Sequence, residues 1–322
     1  MLRAIDLAAG VRTSTSPNPW VGAVLVTVDG SIFDGATEPP GQRHAEVVAL
    51  DAARAAGAVV TGATMYTTLE PCSHHARTGP CSEALIAVGV TRVVVGIGDP
   101  DTRVAGRGIE QLRAAGITVD VGVHADRVQA QLAPYVKHRT TGRPWVLLKL
   151  AASLDGRTAA PDGSSAWITG SAARADAHRL RAESDAVIVG AGTVRSDDPA
   201  LTVRDADGDD PLRVVLGHAP SDARVHPCVE LDGSLPEVLD ELGRRGVVQA
   251  MVEGGATVAG AFHREGLVDR YVLYLAPALF GGDDARPLMS GPGAATIDDV
   301  WRGRITNVEQ LGDDLKVELE AV

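Results

Sequence analysis

His44-Ala45-Glu46, Pro71-Cys72 and Cys81 are the residues of this chain whose types and spacing could do chemistry. One imidazole and two thiolates make a three-donor zinc site, and three protein ligands rather than four leave one coordination position open. Water held at such a position has its pKa lowered towards neutrality. Glu46, two residues beyond His44, is placed to move a proton from that water to a leaving amine without being a ligand itself. Taken singly, a His or a Cys is more often a surface or small core residue than a metal ligand. The set, in this order and at element junctions, points to metal. A fourth ligand from His74 or His75 would make the zinc structural instead, and the residues alone leave that alternative open.

The elements that must position these groups follow from hydrophobic periodicity. Strands are expected over 21–28, 64–68, 93–97 and 117–121, and helices over 45–56, 83–88, 109–115 and 125–137. His44 then opens a helix, and Cys72 follows a strand at a Pro-containing turn. The polar segment from Arg139 to Pro144 carries Gly and Pro and marks a boundary, giving domains 1–140 and 141–322. Beyond it, strands are expected over 145–150, 186–189, 212–216, 249–252 and 270–275, and helices over 172–181, 235–244 and 258–264. A hairpin of 305–311 and 315–319 closes around Gly312-Asp313-Asp314. Strands alternating with helices predict the α/β class in both halves.

Bulk properties narrow the function. The 322 residues suffice for two cores, and 45% hydrophobic with 22% charged residues fits a globular protein. A net charge of −12 opposes nucleic-acid binding, which depends on neutralising phosphates. There is no run of 18 apolar residues and no secretory pattern at the start, so neither a membrane partner nor export is expected. Three cysteines cannot form a full disulfide framework, and a cytoplasmic location is expected. A homo-oligomer is compatible with the sequence, which does not specify one.

His-x-Glu followed by Pro-Cys and a second Cys is the zinc-deaminase pattern. Here eight residues, Ser73 to Pro80, separate the cysteines, where cytidine deaminases have two. With that spacing, Ser16-Pro17-Asn18-Pro19-Trp20-Val21-Gly22-Ala23-Val24, Thr68-Leu69-Glu70-Pro71-Cys72-Ser73-His74-His75 and Asp99-Pro100-Asp101-Thr102-Arg103-Val104-Ala105-Gly106 resemble the bifunctional riboflavin biosynthesis deaminase–reductases. The resemblance implies a cytidine-deaminase-like α/β/α sandwich at the N-terminus. It implies that 2,5-diamino-6-ribosylamino-4(3H)-pyrimidinone 5′-phosphate, a phosphorylated pyrimidine, loses its C2 amino group there. Asn18 would hold the substrate, and Arg77 its phosphate. The segment 35–43 departs from relatives in lacking a histidine-bearing pattern.

The second half resembles the reductase domain of the same family, similar in fold to dihydrofolate reductase. The resemblance rests on Lys149 to Arg157, Ser165 to Gly170, Gly190 to Val194, Asp197 to Arg204 and Val252 to Thr257. It implies NADPH along Ala151, Trp167, Thr193, Asp197 and the turn Gly254, Gly255, Ala256 and Thr257. It implies substrate held by Lys149, Ser165, Arg181, Leu201, Arg204 and Glu253, and reduction of the ribosyl group to ribityl. Glycines between a strand and a helix allow backbone N–H groups to meet a phosphate, although Gly-Gly alone is more often a turn. The stretch from 217 to 234 is shorter than in many relatives. Two rivals remain at this stage: an RNA nucleobase deaminase, which the net charge opposes, and a structural-zinc interaction module, which the spare Glu46 opposes.

Overall fold

A computed structural model describes residues 1–73, 79–102 and 104–321. The chain divides into two compact units, Met1–Gly142 and Arg143–Val322. The division falls two residues beyond the expected boundary.

The first unit runs α1 (Leu2–Ala9), β1 (Gly22–Val26), β2 (Ile32–Ala36), α2 (Ala45–Ala55), β3 (Thr64–Leu69), α3 (Cys81–Ala87), β4 (Arg92–Ile97), α4 (Arg107–Ala114), β5 (Thr118–Val121), α5 (Ala125–Gln131) and α6 (Ala133–Thr141). Its sheet has the order β2-β1-β3-β4-β5. β1 pairs antiparallel with β2 and β3, while β3, β4 and β5 are parallel. Parallel strands need crossovers, and α3 and α4 supply them. On α2, Ala45, Ala49 and Ala53 form a fully buried stripe. Small side chains there bring the helix close to the sheet. At Gly35 of β2, an added Cβ would lie 2.1 Å from the Ala45 carbonyl oxygen, so only glycine permits this approach.

The second unit contains β6 (Trp145–Ser153), β7 (Arg157–Ala159), α7 (Ser171–Ala182), β8 (Ala186–Gly190), α8 (Ala191–Asp197), β9 (Leu212–Leu216), β10 (Val229–Leu231), α9 (Leu235–Arg244), β11 (Gln249–Val252), α10 (Ala256–Arg264), β12 (Arg270–Ala276), β13 (Arg286–Pro287), β14 (Gly303–Leu311) and β15 (Asp314–Ala321). An eight-stranded sheet of order β10-β9-β8-β11-β6-β12-β15-β14 forms its centre. The six strands from β10 to β12 are parallel, and β15 and β14 add antiparallel. Strand periodicity sorts β6 between two cores. Val146, Leu148 and Leu150 join the one that contains Leu239 of α9 and Phe262 of α10. Leu147 joins the other, with Ala173, Ala177 and Leu180 of α7, and Ala151 packs against it. Lys149 therefore lies on the α7 face.

After β8 the chain continues towards β9, whereas β11 leads to β12 on the opposite side. The C-terminal ends of neighbouring β8 and β11 thus form a topological switch point, where α/β sheets bind ligands. The helices α8 and α10 both start there.

Candidate active sites

In the first unit, His44 occupies the N-cap position of α2 yet makes no side-chain cap bond. Its ring faces sulfur instead. His44 Nδ1 lies 3.5 Å from Cys72 Sγ and 3.3 Å from Cys81 Sγ. Zinc with sulfur at about 2.3 Å and nitrogen at about 2.0 Å in tetrahedral array separates such donors by roughly 3.5 Å, so the triad fits the ion. Among the described residues, these three form the metal-binding group. His74, His75 and Arg77 lie outside the described residues.

Cys81 is the first residue of α3, and its N–H points to Cys72 Sγ at 3.4 Å. Ser82 donates from its hydroxyl to the Cys72 carbonyl at 3.0 Å. The start of α3 thereby fixes Cys72 and favours a thiolate there. A hydrogen bond from the Cys81 thiol holds the Cys72 thiol down to about 4 against burial, with help from His44. Cys81 is pushed well above its ordinary value, first by that same bond and then by burial. Two adjacent thiolates repel, and a dication is what lets both ionise.

Glu46, in the first turn of α2, is 4% exposed. Burial first, and the neighbouring Cys72 second, raise its pKa. A carboxyl so placed exchanges protons more readily near neutrality than a solvated one. It borders a cavity of about 370 Å³ lined also by Asn18, His44, Cys72, Asp99, Asp101, Tyr135 and Arg139.

Sequence reading singled out Asn18, His44, Glu46 and Cys72 around this cavity but gave no role to Glu70, Asp99, Asp101, Tyr135 or Arg139. Glu70 is buried and accepts four backbone N–H bonds: Asp99 at 3.1 Å, Gly106 at 2.9 Å, Gly108 at 2.9 Å and Ile109 at 3.3 Å. It ties the end of β3, two residues before Cys72, to the loop bearing Asp99 and Asp101 and to the start of α4. Tyr135 donates to Asp99 at 3.1 Å, and Arg139 lies 3.9 Å from Asp101. Burial raises Asp99. A Glu beside Pro-Cys has no local pattern that distinguishes it from a surface charge, so its clamp could not be found without the fold.

In the second unit, the Glu253 carboxylate at the end of β11 bridges two cations. Lys149 Nζ donates to one oxygen at 3.2 Å, and Arg181 donates to the other at 2.7 Å.

 The Arg181 side chain is only 9% exposed, so its guanidinium is withdrawn from solvent almost completely. Burial works to raise Glu253, but Lys149 and then Arg181 outweigh it and hold the carboxyl down to about 2. Arg181 also donates to the Thr202 carbonyl. It is engaged on two sides, while Arg204 is exposed. Leu201 has its side chain in the core and a positive φ of 54°, which leaves its backbone rather than its side chain to meet a ligand. Ser165 is exposed, and Trp167 is 74% exposed with Arg174 over its ring. Core packing therefore does not explain this tryptophan.

At the switch point, Thr193 of α8 accepts the Gly255 N–H at 3.1 Å, joining the two helix starts. That amide is thus already engaged. Ala256 and Thr257 form the first turn of α10, and Asp197 is exposed at the end of α8. An added Cβ on Gly254 would come within 2.8 Å of Val258 Cβ, so packing alone requires glycine there. Ala151 lies on β6, two residues beyond Lys149.

The metal-donor triad beside a buried carboxyl gives the first unit the site of a zinc deaminase, and similarity to known proteins joins a reductase to it. Residues 1–97 match the cytidine and deoxycytidylate deaminase zinc-binding region, and residues 144–317 match the RibD C-terminal domain. The riboflavin biosynthesis protein RibD of Mycobacterium tuberculosis is 44% identical over 99% of this chain and 95% of its own. That of Escherichia coli is 38% identical over 99% and 98%. The solved structure of Acinetobacter baumannii RibD superposes with a TM-score of 0.91 at 38% identity, covering 100% of this chain and 97% of that one. A Thermotoga maritima diaminohydroxyphosphoribosylaminopyrimidine deaminase/5-amino-6-(5-phosphoribosylamino)uracil reductase does so with 0.91 at 33% identity and the same coverage. The chain belongs to the RibD family of riboflavin biosynthesis proteins, with a zinc-binding deaminase domain and an NADPH-using reductase domain. No helix among the described residues is long and apolar enough to cross a membrane.

Proposed function

We propose that the first unit deaminates 2,5-diamino-6-ribosylamino-4(3H)-pyrimidinone 5′-phosphate at C2, and that the second reduces the ribosyl group of the product to ribityl. The observation that carries the first step is the convergence of His44, Cys72 and Cys81, with His44, Cys72 and buried Glu46 lining one cavity. His44, Cys72 and Cys81 would hold zinc, which would supply a water of lowered pKa. Glu46 takes a proton from the attacking water and passes it to the departing amine nitrogen. Asn18 and the Asp99–Asp101 loop orient the ring, and Arg77 meets the phosphate. In the second unit NADPH, when bound, would supply the hydride. There Ala151, Trp167, Thr193, Asp197 and the 254–257 turn hold the cofactor. Lys149, Ser165, Leu201, Arg204 and Glu253 hold the substrate, with Arg181 fixing Glu253. We place the enzyme in the cytoplasm, acting on a small molecule.

Chelation tests the metal assignment. Ammonia release is expected to disappear when zinc is stripped and to return on zinc addition. NADPH oxidation with the deaminated substrate is expected to persist throughout. Full ammonia release from a zinc-free sample would overturn the assignment. The exposed Arg204 gives a second test. A charge-assisted contact to phosphate contributes on the order of 1.5–3 kcal/mol. Arg204→Ala is therefore expected to raise the reductase KM for substrate roughly tenfold to a hundredfold, with NADPH affinity unchanged. A change confined to NADPH affinity would exchange the two ends of the pocket.

A further inference from the structure

On α7, His178 and Arg181 lie one turn apart and share a side of the helix. Both grip the segment 201–204. Arg181 donates to the Thr202 carbonyl, and the Arg204 backbone N–H donates to His178 Nδ1 at 3.3 Å. A guanidinium nitrogen of Arg181 also lies 3.4 Å from that same Nδ1. Guanidinium and backbone N–H groups can only donate. Both neighbours of Nδ1 are therefore donors, and this nitrogen must carry the lone pair. The ring proton belongs on Nε2, which lies 3.7 Å from the Asp205 carboxylate. Burial first, and then the Arg181 and Arg204 charges, lower the His178 pKa and favour the same neutral ring.

The segment needs such a grip. Leu201 is buried with a φ of 54°, a left-handed conformation that L-residues with large side chains disfavour. Leu201 is sealed in the core on one side, and α7 holds the Thr202 carbonyl and the Arg204 N–H on the other. The exposed Arg204 side chain springs from a backbone whose N–H is held by His178, and its guanidinium lies 3.5 Å from Thr202 Oγ1.

We propose that His178 is a positioning residue for the reductase reaction, its Nδ1 lone pair fixing the Arg204 backbone and so the placement of Arg204 against the substrate. The inference rests on Arg204 being on the substrate side of the pocket. Two variants of the full-length enzyme test it. His178→Asn puts a carbonyl oxygen where Nδ1 stands, whereas His178→Gln carries its acceptor out to the Nε2 position. The deaminated substrate and NADPH are the probes. His178→Gln is expected to raise the substrate KM about tenfold, the effect of one lost hydrogen bond to a part-buried N–H. His178→Asn is expected to stay within about twofold of the parent. NADPH affinity and deamination, measured on the same samples, report that each variant is folded and are expected to be unchanged. Equal KM values for the two variants would overturn the proposal. Arg204→Ala in the same assay separates the causes. If it raises KM while the two His178 variants agree, only the positioning role falls. If it leaves KM unchanged, the substrate-side assignment of Arg204 falls and takes the proposal with it.

Discussion

Glu46→Gln is expected to cut ammonia release by about 10²- to 10⁴-fold while leaving one zinc per chain and the reductase rate intact. Glutamine keeps the length and volume of the side chain, so the first turn of α2 and the packing around a position only 4% exposed should survive. What it cannot do is accept a proton and give it back. General acid–base catalysis contributes about 10²- to 10⁴-fold, and deamination is expected to fall within that range. Zinc content should hold because His44, Cys72 and Cys81 supply the donors and Glu46 is not among them. The reductase serves as an internal control, assayed with deaminated substrate. Unchanged ammonia release would remove Glu46 from the proton transfer. Loss of zinc along with activity would instead make it part of the metal's support.

Much of this architecture was legible because it is locally encoded. The β-branched run of β4 and the hairpin of β14 and β15 announce themselves by alternation and turn residues. The metal donors were legible because their spacing is a chemical requirement. Other elements depend on distant partners. β2 was not expected, since Ile32–Ala36 contains Asp34 and Gly35 and owes its strand to pairing with β1. α1 begins without a side-chain cap, and its existence rests on burying Ala4 and Ala8. α8 was not expected, because Gly192, Thr193 and Val194 have poor helix propensity; Val194 in the core and the Thr193–Gly255 bond override it. The single helix expected over 125–137 is two helices meeting at Leu132, with Pro134 opening the second. Proline lacks the N–H that a continuous helix would need there.

The site was divided in the same way. His44, Glu46, Cys72 and Cys81 stood out, while Glu70, Tyr135 and His178 did not. Tyr135 reaches Asp99 across 36 residues, and Glu70 reaches Gly108 across 38. Contacts of that range leave no periodic trace. They arise only once β3, β4 and α6 are assembled, and each looks like an ordinary polar residue until then.

Glu253→Gln is expected to weaken the second unit as well as its reaction. The carboxylate accepts from Lys149 and Arg181, whose side chains are 16% and 9% exposed. Glutamine fits the space but leaves two cations facing each other without a counter-charge. Removing one partner of a buried pair costs about 3–5 kcal/mol, and the residual exposure here favours the lower end. Glu253 is held at about 2, below its ordinary value of 4.5. Its contribution is therefore complete above about pH 4.5 and is lost as pH falls towards 2. The stability gap between parent and variant should be widest at neutral pH and should narrow below pH 4.5. Urea unfolding, followed through hydrogen exchange of the β11 amides, measures that gap for this unit alone. A gap that stayed constant from neutral pH down through 4 to 3 would mean that the charge of Glu253 is not what holds Lys149 and Arg181 in place.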